Sequence, residues 1–397
     1  MPMLRNWTFR LPTVVRFGRG SVRKLGELAQ DFGWKALLVG YKDASGMETV
    51  YRKVQQALRS ARVHADTFLE VGPEPDQSLV TEGAEAYKKS RSELIVAVGG
   101  GSVIDVAKGI GALVKLSGDP WDFTNANESH RRITESAPVI AVPTTAGTGS
   151  EVTSIAVFHY APEVTGWDFP AKAAMVGEGL HPKVAVIDPD LLADSPPEIL
   201  AACAADALIQ AIEACLSRMC NPISAVLGGH ATRLILDHLP RAMADAADME
   251  AKSSLALAAT MSGAAYDVTG LTVGHALAHA LGAIFDIPHG RAVAIAGPVA
   301  VRFMAGAAAD SLRELAYFCR GGQPIDDGAI QKLLDRLSAV FREADLPEKF
   351  SPPAESPPDY LDRLVQHALR ATPEACKLTP VPVDEEVLRN LFMQILA

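Results

Sequence analysis

Residues 93–105, Glu-Leu-Ile-Val-Ala-Val-Gly-Gly-Gly-Ser-Val-Ile-Asp, constrain the fold of this chain more than any other stretch. An unbroken apolar run of strand length reads as a strand buried on both faces, the kind found in parallel sheets covered by helices. The run leads straight into Gly99-Gly100-Gly101-Ser102. Consecutive glycines remove every Cβ from the turn, so backbone N–H groups can approach a phosphate closely. A helix is predicted over 103–116, with Ser102 and Asp105 as a capping-box-like start and its positive dipole end toward the anion. The pattern is neither Gly-x-Gly-x-x-Gly nor a Walker loop. A tight turn that simply needs small residues is the alternative reading.

The same alternation surrounds this junction. Residues 36–40, 139–142 and 184–187 read as further buried strands, and 47–61 and 78–89 as helices. Ser21 is placed to cap a helix over 22–31. The strand at 139–142 runs into Pro143-Thr144-Thr145-Ala146-Gly147-Thr148-Gly149-Ser150-Glu151. Its hydroxyls offer donors for phosphate or ribose oxygens at the sheet's carboxyl edge, where open α/β sheets bind ligands. The alternative is a solvent-exposed Thr/Ser loop. Lys172 either neutralises a phosphate or is a plain surface charge, and its neighbours decide neither.

Beyond residue 190 the chain turns Ala- and Leu-rich with helical periodicity. Ser195 with Pro196 and Pro197 opens one helix by hydroxyl cap and early proline. A helix from 204 to 218 carries Asp206, Gln210 and Glu213 in an apolar run, with Asp206 and Gln210 facing the same way. Asn221-Pro222-Ile223-Ser224 starts another, followed by helices near 250–266, 310–320, 327–345 and 358–370 and a proline-rich linker at 346–358. Two domains are expected, 1–190 and 191–397. Within the second, residues 274–290 hold His275, His279 and His289 among apolar residues and glycine. His275 and His279 share a helix face, and Pro288 stops that helix so that His289 can fold back toward them. Burying several imidazoles is costly unless something satisfies their nitrogens, and a metal ion or a reacting substrate would do so. Core histidines bonded to backbone carbonyls are the alternative. The zinc-protease spacing is excluded, because the His275–His279 turn lacks its glutamate.

A net charge of -10 over 397 residues argues against nucleic acid and anionic membrane as partners. No apolar run is expected to span a membrane, since charges, glycine or proline interrupt each candidate. The start of the chain has no apolar signal core. The five cysteines are odd in number and form no Cys-x-x-Cys pair, which suits reduced thiols in a cytoplasm and gives no thiolate zinc site.

Several of these motifs together resemble the iron-dependent (group III) alcohol dehydrogenase family over nearly the whole chain. They are Gly99-Gly100-Gly101-Ser102 through Lys108, Pro143-Thr144-Thr145 through Thr153, Asp206-Ala207-Leu208, Asn221 to Ser224, and the histidine stretch ending Pro288-His289-Gly290. Residues 118–123, Gly-Asp-Pro-Trp-Asp-Phe, resemble its butanol-dehydrogenase branch. The resemblance implies a Rossmann-like α/β parallel-sheet amino-terminal domain, an all-α carboxy-terminal domain and a cleft between them. It implies an NAD(P)-dependent oxidoreductase that interconverts a small primary alcohol and its aldehyde. A divalent metal, Fe(II) or Zn(II), would polarise the substrate oxygen.

By motif position, Asp206, His275 and His289 correspond to metal ligands, and His279 to the histidine beside the substrate that relays a proton. The position of the remaining ligand is Gln210 here and not histidine. A neutral amide is a weak ligand, so Gln210 is a loose fourth ligand, a partner for metal-bound water, or the sign of a site without metal. Gly99, Gly100, Gly101, Ser102, Asp105, Thr144, Thr145, Thr148, Lys172 and Tyr41 are the expected cofactor contacts. NAD-using relatives end the strand matching 36–40 with an acid; Gly40-Tyr41-Lys42 stands there instead, which favours NADP over NAD. The resemblance also suggests a homo-oligomer, a dimer or larger. Three rivals are a dehydroquinate-synthase-like lyase, a metal-free reductase resembling maleylacetate reductase, and a nucleotide-binding protein that no longer catalyses. The first needs several Lys and Arg for an anionic substrate, and 262–290 contains neither.

Overall fold

The apolar runs of the amino-terminal half build a parallel sheet. The computed structural model describes residues 6–397. Its strands are β1 (Val14–Phe17), β2 (Lys35–Tyr41), β3 (His64–Val71), β4 (Leu94–Gly99), β5 (Val139–Pro143), β6 (Ile155–Tyr160), β7 (Ala171–Val176) and β8 (Val184–Ile187). Six of them form one sheet in the order β1-β8-β5-β4-β2-β3, and every neighbouring pair is parallel. β6 and β7 form a separate two-stranded sheet. Helices α1 (Leu25–Gln30), α2 (Glu48–Ser60), α3 (Ser78–Ser90) and α4 (Gly101–Lys115) connect the strands.

Central β4 is buried at every position, as its unbroken apolar run requires. Leu94, Val96 and Val98 share a core with Leu25 and Ala29 of α1 and Val54 and Leu58 of α2. Ile95 and Ala97 point the other way by the two-residue period of a strand, and α4 packs on β4 as well. Edge strand β3 escapes sequence detection because only Phe68 and Val71 are buried along it, so polar residues hide its period. β1, at the opposite edge, is mostly exposed for the same reason.

Two helix starts of this half differ from expectation. α4 begins at Gly101, and Gly100 is its N-cap with no side-chain cap bond. The Ser102 hydroxyl donates instead to Pro73 O at 2.6 Å. The Asp105 carboxylate accepts from Ser150 Oγ and from the Val157 N–H at 2.9 Å. Both side chains therefore tie neighbouring loops to α4, and the capping box does not form. Similarly, Ser21 opens a 3-10 turn that precedes α1, and Asp188 caps it by accepting from the Gly20 and Val22 amides.

The second compact unit comprises Pro196–Ala397, Ala161–Lys172 and the described residues before Leu11; the first comprises Leu11–Tyr160 and Ala173–Ser195. Lys172 thus belongs to the helical unit. After the short α5 (Pro162–Thr165) come α6 (Pro197–Leu216), α7 (Pro222–Ala244), α8 (Met249–Thr269), α9 (Val273–Phe285) and α10 (His289–Met304). Then follow α11 (Ala309–Cys319), α12 (Ala329–Glu343), α13 (Tyr360–Ala371), α14 (Pro373–Leu378) and α15 (Glu385–Ile395). α6 runs unbroken from Pro197, and Ser195 does not cap it; Pro196 is the N-cap, with no side-chain bond. By length and composition α6 could cross a membrane, contrary to the expectation that no run would, and 83% of its apolar window is buried inside the unit. A helix apolar all round belongs in a core, and α7, α8 and α10 pack around this one. Asn221 and Ser224 form the reciprocal cap that starts α7.

Candidate active site

Asp206, Gln210 and Glu213 recur at i, i+4 and i+7 on α6, so they share one face of an otherwise apolar helix, and all three are buried. His275 and His279 lie one turn apart on α9. Asp286 ends that helix in the left-handed region with φ 53°, Pro288 is the N-cap of α10, and His289 is its first residue. The reversal brings the His289 ring to 5.7 Å from His275 and 5.4 Å from His279, centroid to centroid. The predicted gathering of three imidazoles is therefore present.

Asp206 Oδ1 lies 3.3 Å from His275 Nε2 and 3.5 Å from His289 Nε2. One ligand atom from each of the three residues falls within 4.8 Å of the others. Such separations suit donors arranged around one divalent ion with bonds of about 2.1 Å. A carboxylate with two imidazoles is also the donor set that suits non-haem iron. The residues fit a metal. Burial opposes a charge on Asp206, but His289 and His275 hold its carboxyl well below the ordinary range. Burial likewise opposes protonation of His275, yet Glu213 and Asp206 outweigh it and raise the imidazole to about 9.

Gln210 Oε1 faces the Ser262 hydroxyl at 3.3 Å, and that hydroxyl also reaches Ala207 O at 3.0 Å. The amide oxygen at the departing position therefore has a partner on α8. His279 Nδ1 lies 3.3 Å from Lys172 O. The Lys172 N–H in turn donates to His367 Nε2 at 2.9 Å, with His367 fully buried on α13. With its Nδ1 proton toward that carbonyl, His279 keeps a lone pair on Nε2. Burial, reinforced by His289, Lys172, His275 and His367, drives its pKa far below the ordinary value, so the ring is neutral. Lys172 itself is buried, which removes the surface-charge reading.

In the sheet unit, β2, β4 and β5 are adjacent and parallel, so Tyr41, Gly99–Gly101 and Thr144–Thr148 line one carboxyl edge. The glycines there serve close packing. A Cβ on Gly100 would sit 2.8 Å from Tyr41 Oη and 2.9 Å from Thr145 Oγ1, and one on Gly101 would sit 2.5 Å from Thr148 Cγ2. The Gly100 N–H donates to Tyr41 Oη at 2.8 Å, so this amide serves the loop itself. The first intrahelical bond of α4 runs from Ile104 N to Gly100 O. The amides of Gly101, Ser102 and Val103 precede it at the helix's positive end, as an anion site requires.

Two residues of the site stand out only in the fold. Glu213 is by sequence one polar position on α6; its fully buried carboxylate accepts from His275 Nδ1, the Thr272 hydroxyl and the Gly274 N–H. An acid two turns beyond Asp206 on an apolar helix was the available signal. His367 had none, being one polar residue among the many of α13.

Comparison with known proteins accords with this arrangement. Residues 12–189 match the family described as iron-containing alcohol dehydrogenase, and 200–396 match the C-terminal domain of the Fe-containing alcohol dehydrogenase family. The NAD-dependent methanol dehydrogenase of Bacillus methanolicus is 32% identical over 285 residues, 71% of this chain and 72% of that one. A Red Sea brine pool archaeal alcohol dehydrogenase superposes with a TM-score of 0.88 at 28% identity, covering 99% of this chain and 100% of that one. The NADH-dependent butanol dehydrogenase A of Thermotoga maritima superposes with a TM-score of 0.85 at 25% identity, covering 99% of each chain. This chain belongs to the iron-containing alcohol dehydrogenase family.

Proposed function

We propose that this chain is an NAD-dependent alcohol dehydrogenase that interconverts a small primary alcohol and its aldehyde, with a divalent metal, iron by family, held by Asp206, His275 and His289. The observation that carries the reading is the convergence of those three side chains on one point, with Asp206 and His275 buried and His289 half-buried. Relatives named for methanol and butanol support a small alcohol as substrate. When bound, the metal supplies Lewis-acid polarisation of the substrate oxygen, and the nicotinamide supplies or takes the hydride. Asp206 would contribute the negative charge that anchors the ion, and the Nε2 atoms of His275 and His289 would be its neutral donors. His279, neutral and held through Nδ1, offers Nε2 as the proton acceptor in the oxidising direction. The amides at the start of α4 and the hydroxyls of Thr144, Thr145 and Thr148 are assigned to the dinucleotide.

The NADP preference suggested by Lys42 finds no support. Its ammonium lies 3.8 Å from Glu70, both side chains being exposed, and Asp43 follows directly. A pair with an acid beside it carries no net positive charge to recognise a 2′-phosphate, and the Bacillus and Thermotoga relatives are named for NAD and NADH. NAD is therefore assigned. The lyase reading is disfavoured by the lack of Lys and Arg over 262–290. The metal-free reductase reading fits poorly with a carboxylate and two imidazoles converging on one point.

The test is aldehyde reduction by the purified chain loaded with Fe2+, measured with NADH and NADPH before and after chelation. Chelation is expected to lower the rate by about 100-fold or more, the several kcal/mol that a Lewis acid contributes. NADH is expected to exceed NADPH in kcat/KM by about tenfold or more, equivalent to about 1.4 kcal/mol. Activity that survives complete metal removal overturns the metal mechanism, and a preference for NADPH overturns the NAD assignment.

A further inference from the structure

We infer that Glu213 is a positioning residue whose carboxylate fixes the tautomer and orientation of His275, and through them the affinity of the site for its metal. The inference rests on the proposed metal reading and deepens it. Glu213 is fully buried on α6, two turns beyond Asp206. Its Oε2 lies 2.5 Å from His275 Nδ1. Its Oε1 accepts from the Thr272 hydroxyl at 2.5 Å and from the Gly274 N–H at 2.8 Å. All three donors come from the first turn of α9 and its N-cap.

A buried anion needs such compensation, and the N-terminus of a thirteen-residue helix adds favourable dipole. Thr272, the N-cap of α9, makes no cap bond with its own side chain. Its hydroxyl turns to Glu213, and Glu213 takes over the Gly274 amide that a cap residue would ordinarily satisfy. Gly274 is glycine for a related reason, because a Cβ there would sit 2.6 Å from Glu213 Oε1. The sequence around His275 is thus arranged for close approach of this one carboxylate.

The chemical consequence follows from imidazole having two distinct nitrogens. An acceptor-only carboxylate at Nδ1 keeps a proton there, so the proton given up to a metal would be the one on Nε2, and the freed Nε2 lone pair would face Asp206 and the metal position. The opposite tautomer would present Nε2–H to the ion. Carboxylate partners of ligating histidines raise ligand basicity and are worth about 10–100-fold in metal affinity. Orientation matters more in this chain than in a four-ligand site, because position 210 is glutamine and its oxygen already meets Ser262.

Glu213→Gln keeps the side chain's size. Its amide oxygen still accepts from Gly274, while its NH2 can only donate toward Nδ1 and so favours the wrong tautomer. The experiment measures Zn2+ affinity of the full-length apoprotein by competition with a chromophoric chelator, alongside thermal melts. Zn2+ affinity is expected to fall about 10–100-fold in Glu213→Gln. Ser217→Ala serves as control, since it removes a buried hydrogen bond from the C-cap of α6 to Thr269 O without touching His275; its affinity should stay within about threefold of the parent. If Glu213→Gln does not fold, Gly274→Ala is measured instead and should weaken Zn2+ in the same direction by displacing the carboxylate. Parent-like affinity in a folded Glu213→Gln, or in Gly274→Ala when that is the variant measured, overturns the inference and leaves the metal reading standing. An equal loss in Ser217→Ala overturns it too, by assigning the effect to general loosening of α6. A parent chain that binds no Zn2+ overturns the metal reading itself.

Discussion

Asp206→Asn is expected to strip the folded chain of its metal and to lower kcat/KM for aldehyde reduction by about 1000-fold or more, roughly 4 kcal/mol of lost transition-state stabilisation. Asp206 is the only carboxylate in the trio that converges on the metal position. Its Oδ1 faces both imidazole nitrogens, at 3.3 and 3.5 Å. Asparagine keeps the shape but replaces an anionic ligand by a neutral amide oxygen, and position 210 already carries another weak amide. Two imidazoles and one neutral amide make a poor site for iron. Metal content per chain and steady-state kinetics check this, with NADH binding followed by fluorescence as the separate readout. NADH affinity should stay within about threefold, because the assigned dinucleotide loops belong to the sheet unit and Asp206 to the helical unit. One metal per chain with activity within about tenfold of the parent would remove Asp206 from the mechanism.

The sequence made the sheet and the histidine cluster legible for different reasons. β4 and β5 are buried at every position, so their apolar runs are continuous, and the glycine and threonine loops mark where each ends. The histidine cluster was legible because imidazole is rare in apolar helices and Pro288 marks the reversal, which turns at Asp286 and returns His289 to the others. What was missed depends on distant partners. Ser102 and Asp105 have the spacing of a capping box, but Pro73, Ser150 and Val157, brought in by the fold, offer them other bonds. Glu213 looked like one polar residue among several until α9 laid Thr272, Gly274 and His275 against it. Lys172 lies well before the helical half in sequence yet belongs to that unit, where its peptide links His367 and His279.

That peptide gives the second large expectation. His279→Ala should keep its metal and lose about 100- to 10,000-fold in kcat, the range for removal of a general acid or base. The Lys172 carbonyl at Nδ1 leaves Nε2 as the atom assigned, under the proposed function, to proton exchange with the substrate, and alanine removes it while keeping Asp206, His275 and His289. Free imidazole added to the variant should restore part of the rate, which a purely structural loss would not allow. The pH profile carries an independent sign. Burial, with His289, Lys172, His275 and His367 nearby, lowers the His279 pKa well below 6.5. The base form therefore persists as pH falls through 6.5, and the parent's alcohol oxidation should show no acid limb there from this residue. A histidine at its ordinary value would instead lose the reaction over that interval, as half of it became the cation at 6.5. An acid limb near 6.5 in the parent that disappears from the residual activity of His279→Ala would show that the ring is not held neutral. Full activity in the variant with its metal in place would move the proton transfer to another group.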